Sequence, residues 1–215
     1  MAWVGDEQFV DVIRFDVHPD VRLECLKWID GVWLPHLIRE RAATSAARYR
    51  CISGEPKELI FLGSHLAWNE PPIITLPTGN SLIERWTRNF ETAAFSQVYA
   101  QELSSPSNAY INVITTRVQS SAAGQFSDWY STVHMPEIIQ CPGWECGRRF
   151  ERTDRESEFL AIYQVADPES PFQSPEYERA VGWDGYDKVM LGFHGFRIFV
   201  LEQEFSAEPR LTDQD

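Results

Sequence analysis

Adding 101 to a residue number in the first half of this chain returns, over long stretches, a residue of like character in the second. Cys25, Trp28, Ile29, Val32, Trp33 and Pro35 become Phe126, Trp129, Tyr130, Val133, His134 and Pro136. The register continues on both sides without a gap. Val12-Ile13 falls on Val113-Ile114, Val17 on Val118, Arg48-Tyr49 on Arg149-Phe150, Leu59 on Leu160 and Phe95 on Phe196. Identities are few, so the repeat lies in pattern and constant spacing, and so long a register makes chance similarity a poor explanation. A fold assigned to one half must also serve the other.

Each copy reads as a strand (9–17, 109–118), a helix (20–33, 121–134), two strands (45–52 and 58–66, 145–152 and 158–166), a variable segment with a second helix, and a last strand (95–102, 196–204). Ser174-Pro175 supplies an N-cap with proline at the first helical position, so the second copy's late helix starts near Glu176. The first copy has the loop Asn69-Glu70-Pro71-Pro72 and a helix from about Ser81 to Glu91. The order β-α-β-β-α-β is the ferredoxin-like unit. In the last strand Phe196, Ile198 and Val200 alternate with Phe199 and Leu201, so both faces are apolar and both must be covered. The helices of its own copy cover one face; the sheet of the other copy covers the second. The expected fold is α+β, with repeats at 8–103 and 109–205 fused into one eight-stranded barrel with helices outside. LSSPSN at 103–108 is the linker, and 206–215 is a polar, disordered tail.

Within the second copy's first helix, Phe126, Trp129, Tyr130 and Val133 share one face, and His134 lies one turn beyond Tyr130. Pro136 disfavours helix at Met135, and Pro142-Gly143 forces a turn, which puts His134 at the exit of a buried helix.

Lys+Arg 19 against Asp+Glu 32 leaves a net charge of −13, which repels nucleic-acid phosphates and anionic lipid surfaces. The first residues carry no basic-then-apolar leader, and no apolar run reaches the length of a membrane span, so a cytoplasmic protein is expected. Cys25 and Cys51 read as small buried hydrophobes, and Cys141 and Cys146 as thiols without zinc spacing. No glycine-rich phosphate loop, GxSxG elbow, HExxH or metal-ligand cluster is present, so no cofactor or metal is expected.

Four residues are candidates for chemistry. His134 is an imidazole at the end of an apolar face, where Trp33 stands in the first copy, and is suited to proton transfer near neutral pH. Glu137 lies three residues on and can orient that ring or act as a second acid. Asn112 shares a buried strand face with Tyr110, Ile114, Thr116 and Val118, and a buried amide needs partners from a ligand or from the protein. Tyr130 can donate a proton or hydrogen bond from the helix face. Phe126, Trp129, Tyr110, Tyr163 and the copy-specific His194 are candidate substrate-lining residues. Arg149, matched by Arg48, reads as a structural arginine paired with a carboxylate in both copies, with Arg148 on the opposite strand face.

Trp129-Tyr130, His134-Met135-Pro136-Glu137, Pro142-Gly143-Trp144, Arg148-Arg149-Phe150, Leu160-Ala161-Ile162-Tyr163 and Ser174-Pro175-Glu176-Tyr177 together resemble the EthD-like branch of the dimeric α+β barrel superfamily. The resemblance spans the second half and, more faintly, the first. It implies a two-copy barrel and a pocket between sheet and helices bordered by the helix-exit histidine. The first copy, with Trp33-Leu34-Pro35-His36 in place of His-Met-Pro-Glu, departs from that pattern. Relatives of this architecture include cyclases, isomerases, cofactor-free monooxygenases, dehydratases and haem enzymes, and fold alone does not choose among them. The leading expectation is a cofactor-independent enzyme doing acid–base chemistry, namely cyclisation, isomerisation or elimination, on an apolar, aromatic or polyketide-like carbonyl compound. The alternatives are a haem-dependent dehydratase or monooxygenase, with His134 or His194 on the iron, and a non-catalytic ligand-binding or accessory protein. The expected partner is a small apolar or aromatic molecule, and the expected assembly a monomer or loose homodimer.

Overall fold

The computed structural model describes residues 7–40, 43–67, 81–102 and 110–206. Eight strands, β1 (Phe9–Val17), β2 (Ser45–Cys51), β3 (Glu58–Ser64), β4 (Thr87–Glu102), β5 (Tyr110–Val118), β6 (Trp144–Arg152), β7 (Glu158–Val165) and β8 (Met190–Ser206), close into a barrel in the order β1-β3-β2-β8-β5-β7-β6-β4. Every neighbouring pair is antiparallel. Each half supplies a sheet in the order fourth, first, third, second, and the two sheets join where β2 meets β8 and β6 meets β4. The expected α+β barrel of two ferredoxin-like repeats is the observed architecture.

Strand alternation sorts the residues into three cores. Val10, Val12, Tyr49, Phe61, Phe95, Ile111, Phe150 and Phe199 point into the barrel and fill it with side chains from both halves. The opposite strand faces carry one helical layer each. In the first half Ile13, Phe15, Ile60 and Leu62 pack on Cys25, Ile29 and Trp33. In the second, Ile114, Val118, Phe159 and Tyr163 pack on Phe126, Tyr130 and Met135.

The helices depart from expectation in an instructive way. The first runs as α1 (Arg22–Trp28), a π turn (Ile29–Trp33) and α2 (Leu34–Glu40). The matching helix in the second half runs as α4 (Ala123–Trp129), a π turn (Tyr130–His134) and α5 (Met135–Ile139). Pro136 therefore does not end the helix. The Met135 N–H donates to the Tyr130 carbonyl five residues back, and the Leu34 N–H likewise to Ile29, so each proline follows a widened turn that eases its clash with the preceding turn. His134 sits inside a continuous helix, not at its exit. The wide turn also rotates the next residues by one place, which leaves Val32 and Val133 47% and 37% exposed where the regular period had put them inside.

The short helix α3 (Ser81–Trp86) stops before the expected Glu91 because β4 already begins at Thr87. β8 likewise begins at Met190, earlier than expected. Each of these two strands pairs with one strand of its own half and one of the other, and those double ladders lengthen it. The late helix α6 (Pro175–Ala180) starts as expected, with Ser174 Oγ accepting the Tyr177 N–H at 3.1 Å. The linker at 103–108, the loop at 69–72 and the tail from 207 onward lie outside the described residues. Among those described, no helix is long and apolar enough to cross a membrane.

Candidate functional site

The two halves share a scaffold but not a polar inventory. In the first, Trp33 is fully buried, and Arg48 from β2 grips Asp30 through two 2.8 Å bonds and Glu58 at 3.2 Å; Arg22 also bonds Glu58. In the second, His134 replaces Trp33, Tyr130 replaces Ile29, Tyr163 replaces Leu62, Ser131 replaces Asp30 and Phe159 replaces Glu58. Arg149, the match of Arg48, thus loses both carboxylates, and the expected ion pair is absent there. Its Nη1 donates to the Ser127 carbonyl at 3.1 Å, to Ser127 Oγ at 2.6 Å and to Ser131 Oγ at 3.3 Å. Its Nη2 has no partner among the described residues. The guanidinium packs on the rings of Phe159 (4.3 Å), Tyr130 (5.0 Å) and Phe126 (5.5 Å), and burial draws its pKa down to about 10.

His134 is 4% exposed and packed among rings, with Trp129 stacked at 4.8 Å, Trp183 at 5.3 Å, and the Tyr130 ring edge-on at 4.7 Å. Its Nδ1 is buried without a hydrogen-bond partner among the described residues. Burial pulls the imidazole down to about 4; Asp184 opposes this and Arg149 adds to it. The ring is therefore neutral at pH 7, a proton acceptor, and it does not titrate near neutrality as expected from its type alone. The Tyr163 hydroxyl donates to the Tyr130 hydroxyl at 3.0 Å, and burial pushes Tyr130 up to about 12, so both phenols keep their protons.

Asn112, fully buried, pairs in register with Tyr163 on the next strand; its Nδ2 reaches the Arg197 carbonyl at 3.4 Å and its Oδ1 has no partner among the described residues. Phe126 lies beneath Tyr130, Trp129 against His134, and Tyr110 is half-buried at the edge of the same cluster. Glu137 is exposed and makes no contact with His134 among the described residues. His194 is exposed and faces the barrel interior, on the other side of the sheet from His134.

Sequence reasoning missed the residues that close the site. Trp144, Tyr177 and Trp183, with Ile114, Ile138 and Tyr163, enclose a space of about 10 Å³ beside His134, enough for roughly one water. Trp183 comes from the segment between α6 and β8. That segment is held by Trp129 Nε1 donating to Asp184 Oδ2 at 2.9 Å and the Tyr186 hydroxyl donating to the Gln125 carbonyl at 3.2 Å. The available signal was a tryptophan flanked by turn residues in Gly182-Trp183-Asp184-Gly185, an apolar ring in a stretch with no periodicity to bury it.

Among the described residues no cluster of three or more His, Cys, Asp or Glu could hold a metal. The space adjoining His134, about 10 Å³, has no room for a haem in this arrangement.

No protein-family model and no curated protein sequence matches the chain. Solved structures do match in shape. An anthrone oxidase-like protein superposes with a TM-score of 0.69 at 11% identity, over 98% of each chain. A candidate monooxygenase from Lactobacillus acidophilus NCFM gives 0.60 at 10% identity, over 94% of this chain and 97% of its own. A mutant chlorite dismutase from Candidatus Nitrospira defluvii gives 0.60 at 10% identity, over 93% and 94%. Identities this low speak for the fold alone. The architecture is that of the ferredoxin-like dimeric α+β barrel proteins, with both halves of the barrel supplied here by one chain.

Proposed function

We propose that the chain is an enzyme that moves a proton on an apolar, aromatic or polyketide-like carbonyl compound, at the second-half site and without a bound cofactor. The observation that carries this reading is the asymmetry between copies. The first half packs the same scaffold with Trp33, Ile29, Leu62 and a doubly paired Arg48, so folding does not require His134, Tyr130, Tyr163 or an uncompensated Arg149. Buried polar groups beyond what packing needs are a mark of a site.

In this reading a substrate enters by displacing Trp183. Nδ1 of the neutral His134 takes a proton from the carbon next to the carbonyl; the C–H electron pair moves to form an enolate, with the negative charge on the oxygen. The Tyr163–Tyr130 hydroxyl pair donates to that oxygen, and the fixed charge of Arg149 behind the Tyr130 ring favours it. His134 then returns the proton at another carbon, giving isomerisation; where the enolate carbon first attacks a second carbonyl of the same substrate, whose π pair moves onto its oxygen, the proton goes to that alkoxide and the result is cyclisation. Placement in the EthD-like branch, resting on His134-Met135-Pro136-Glu137, belongs to the same proposal.

The test follows the proton. An anthrone, suggested by the similarity to the anthrone oxidase-like protein, and 1-phenylbutane-1,3-dione are incubated with the protein in deuterated water, and exchange at the α-carbon is read by mass spectrometry. Protein-accelerated exchange is expected, falling about 100-fold or more in His134→Gln. Exchange unchanged in both His134→Gln and Tyr130→Phe would sink the assignment. A Soret band shift on adding haem would overturn its cofactor-free part.

A further inference from the structure

At mid-height the barrel is packed solid, but at the end formed by the C-terminal parts of β1 and β5 it opens into a cavity of about 500 Å³. This volume lies within the range of small-molecule sites. The inner wall is apolar, made by Val12, Ala93 and Phe95, which belong to or pack on the barrel core. The outer wall is cationic, in a protein whose net charge is −13.

Arg14 is the group that most needs an account. It is half-buried, and its Nη2 crosses the lumen to Thr115 Oγ1 at 2.6 Å. β1 and β5 stand on opposite walls of the ring, and Thr115 is the repeat match of Arg14, so this bond lies about the axis relating the two halves. Among the described residues no carboxylate reaches Arg14 at ion-pair distance. Glu91 and Glu158 act on it through space, as do the repelling Arg197 and Arg152, and burial draws its pKa down to about 10. Its rim neighbours differ: Arg152 bonds Asp154 at 2.6 Å and Glu158 at 2.8 Å, and Arg155 bonds Glu158 at 3.2 Å. Arg117, exposed, adds another cation at the mouth. Arg14 thus keeps most of its fork of five donors unspent beside an apolar wall. An anionic group there gains a charge-assisted bidentate contact and relieves a half-buried cation.

We propose that the barrel cavity binds an organic carboxylate with an apolar body, the carboxylate on Arg14 and Thr115 and the body against Val12, Ala93 and Phe95. The site lies on the face of the sheet opposite His134 and does not depend on the chemistry proposed there. Glu91, on β4, limits affinity by repelling the ligand's charge.

The test is calorimetric titration of the full chain with 1-naphthoate, its neutral analogue 1-naphthalenemethanol, and inorganic phosphate. Naphthoate is expected to bind, and both comparators to bind at least about tenfold more weakly. Arg14→Gln and Thr115→Val are expected to weaken naphthoate about tenfold or more, Glu91→Gln to tighten it several-fold, and His134→Gln to leave it unchanged. Absent binding at millimolar naphthoate overturns the proposal. Equal binding of the alcohol removes the anion's role; equal binding of phosphate removes the apolar wall's, and either also overturns it. Should Arg14→Gln fail to fold by circular dichroism, the opposite shifts in Glu91→Gln and Thr115→Val decide, and a change in neither refutes the site.

Discussion

The histidine at position 134 ties function to stability through one number. Its folded pKa of about 4 lies below the ordinary 6.5, so between those values the unfolded chain binds more protons than the folded one. Stability then rises with pH across that window, by about 3 kcal/mol, and is lost as pH falls back toward 4. Urea unfolding at a series of pH values should show this slope in the wild type and a flatter one in His134→Gln; identical slopes would mean that the ring is not buried as neutral imidazole. The two arginines make a second contrast. Arg48→Met takes from the fully buried Glu58 one of its two arginines and from Asp30 its partner, leaving Arg22 alone on Glu58, and is expected to cost about 3 kcal/mol. Arg149→Met removes a buried cation that has no carboxylate, so it should stay within about 1 kcal/mol of the wild type or exceed it, while slowing any proton-transfer activity. Equal losses in the two variants would refute the distinction. His134 was legible as a difference between copies at one position. Arg149 was not, because its meaning lies in Ser131 and Phe159, where the first copy has Asp30 and Glu58, and only the fold brings those positions together.

The widened turn explains why one element was read correctly in place and wrongly in detail. Phe126, Tyr130, His134, Met135, Ile138 and Ile139 are all buried, yet on a regular helix they would spread over more than half of its circumference. One extra residue in the π turn gathers them onto one side, and a template with a fixed period cannot show this. The same extra residue coincides with a proline in both halves, Pro35 and Pro136, which points to the turn as the way the helix carries proline through. Deleting Thr132, an exposed residue of that turn, should restore a regular helix with the same buried face but drive the proline into its interior, at a cost of about 3 kcal/mol. Adding Pro136→Ala to the deletion should recover most of that loss in urea unfolding. A deletion cost that is the same with and without the proline would show that the turn exists for some other reason.

At the scale of the whole molecule, the barrel of two facing sheets with helices outside was the most legible feature, because the last strand carries apolar residues on both faces and so had to lie between its own helices and the other half's sheet; which strands pair across the seams was not. The arginine-lined end of the barrel was not legible. Arg14 faces Thr115, its own repeat match, so the cavity belongs to the pair of halves and has no signature in either. Closure has a consequence for assembly. The seams of the barrel, β2 with β8 and β4 with β6, are formed within one chain, so among the described residues no sheet edge is left to be capped by a second copy. A barrel closed between two chains loses stability on dilution, since unfolding then also dissociates it, whereas one closed within a chain does not. The unfolding midpoint is accordingly expected to stay constant over about a hundredfold range of protein concentration, with a single-chain mass in native mass spectrometry. A midpoint that falls steadily with dilution would mean that the seams form between chains, and the barrel in solution would then be a strand-exchanged dimer.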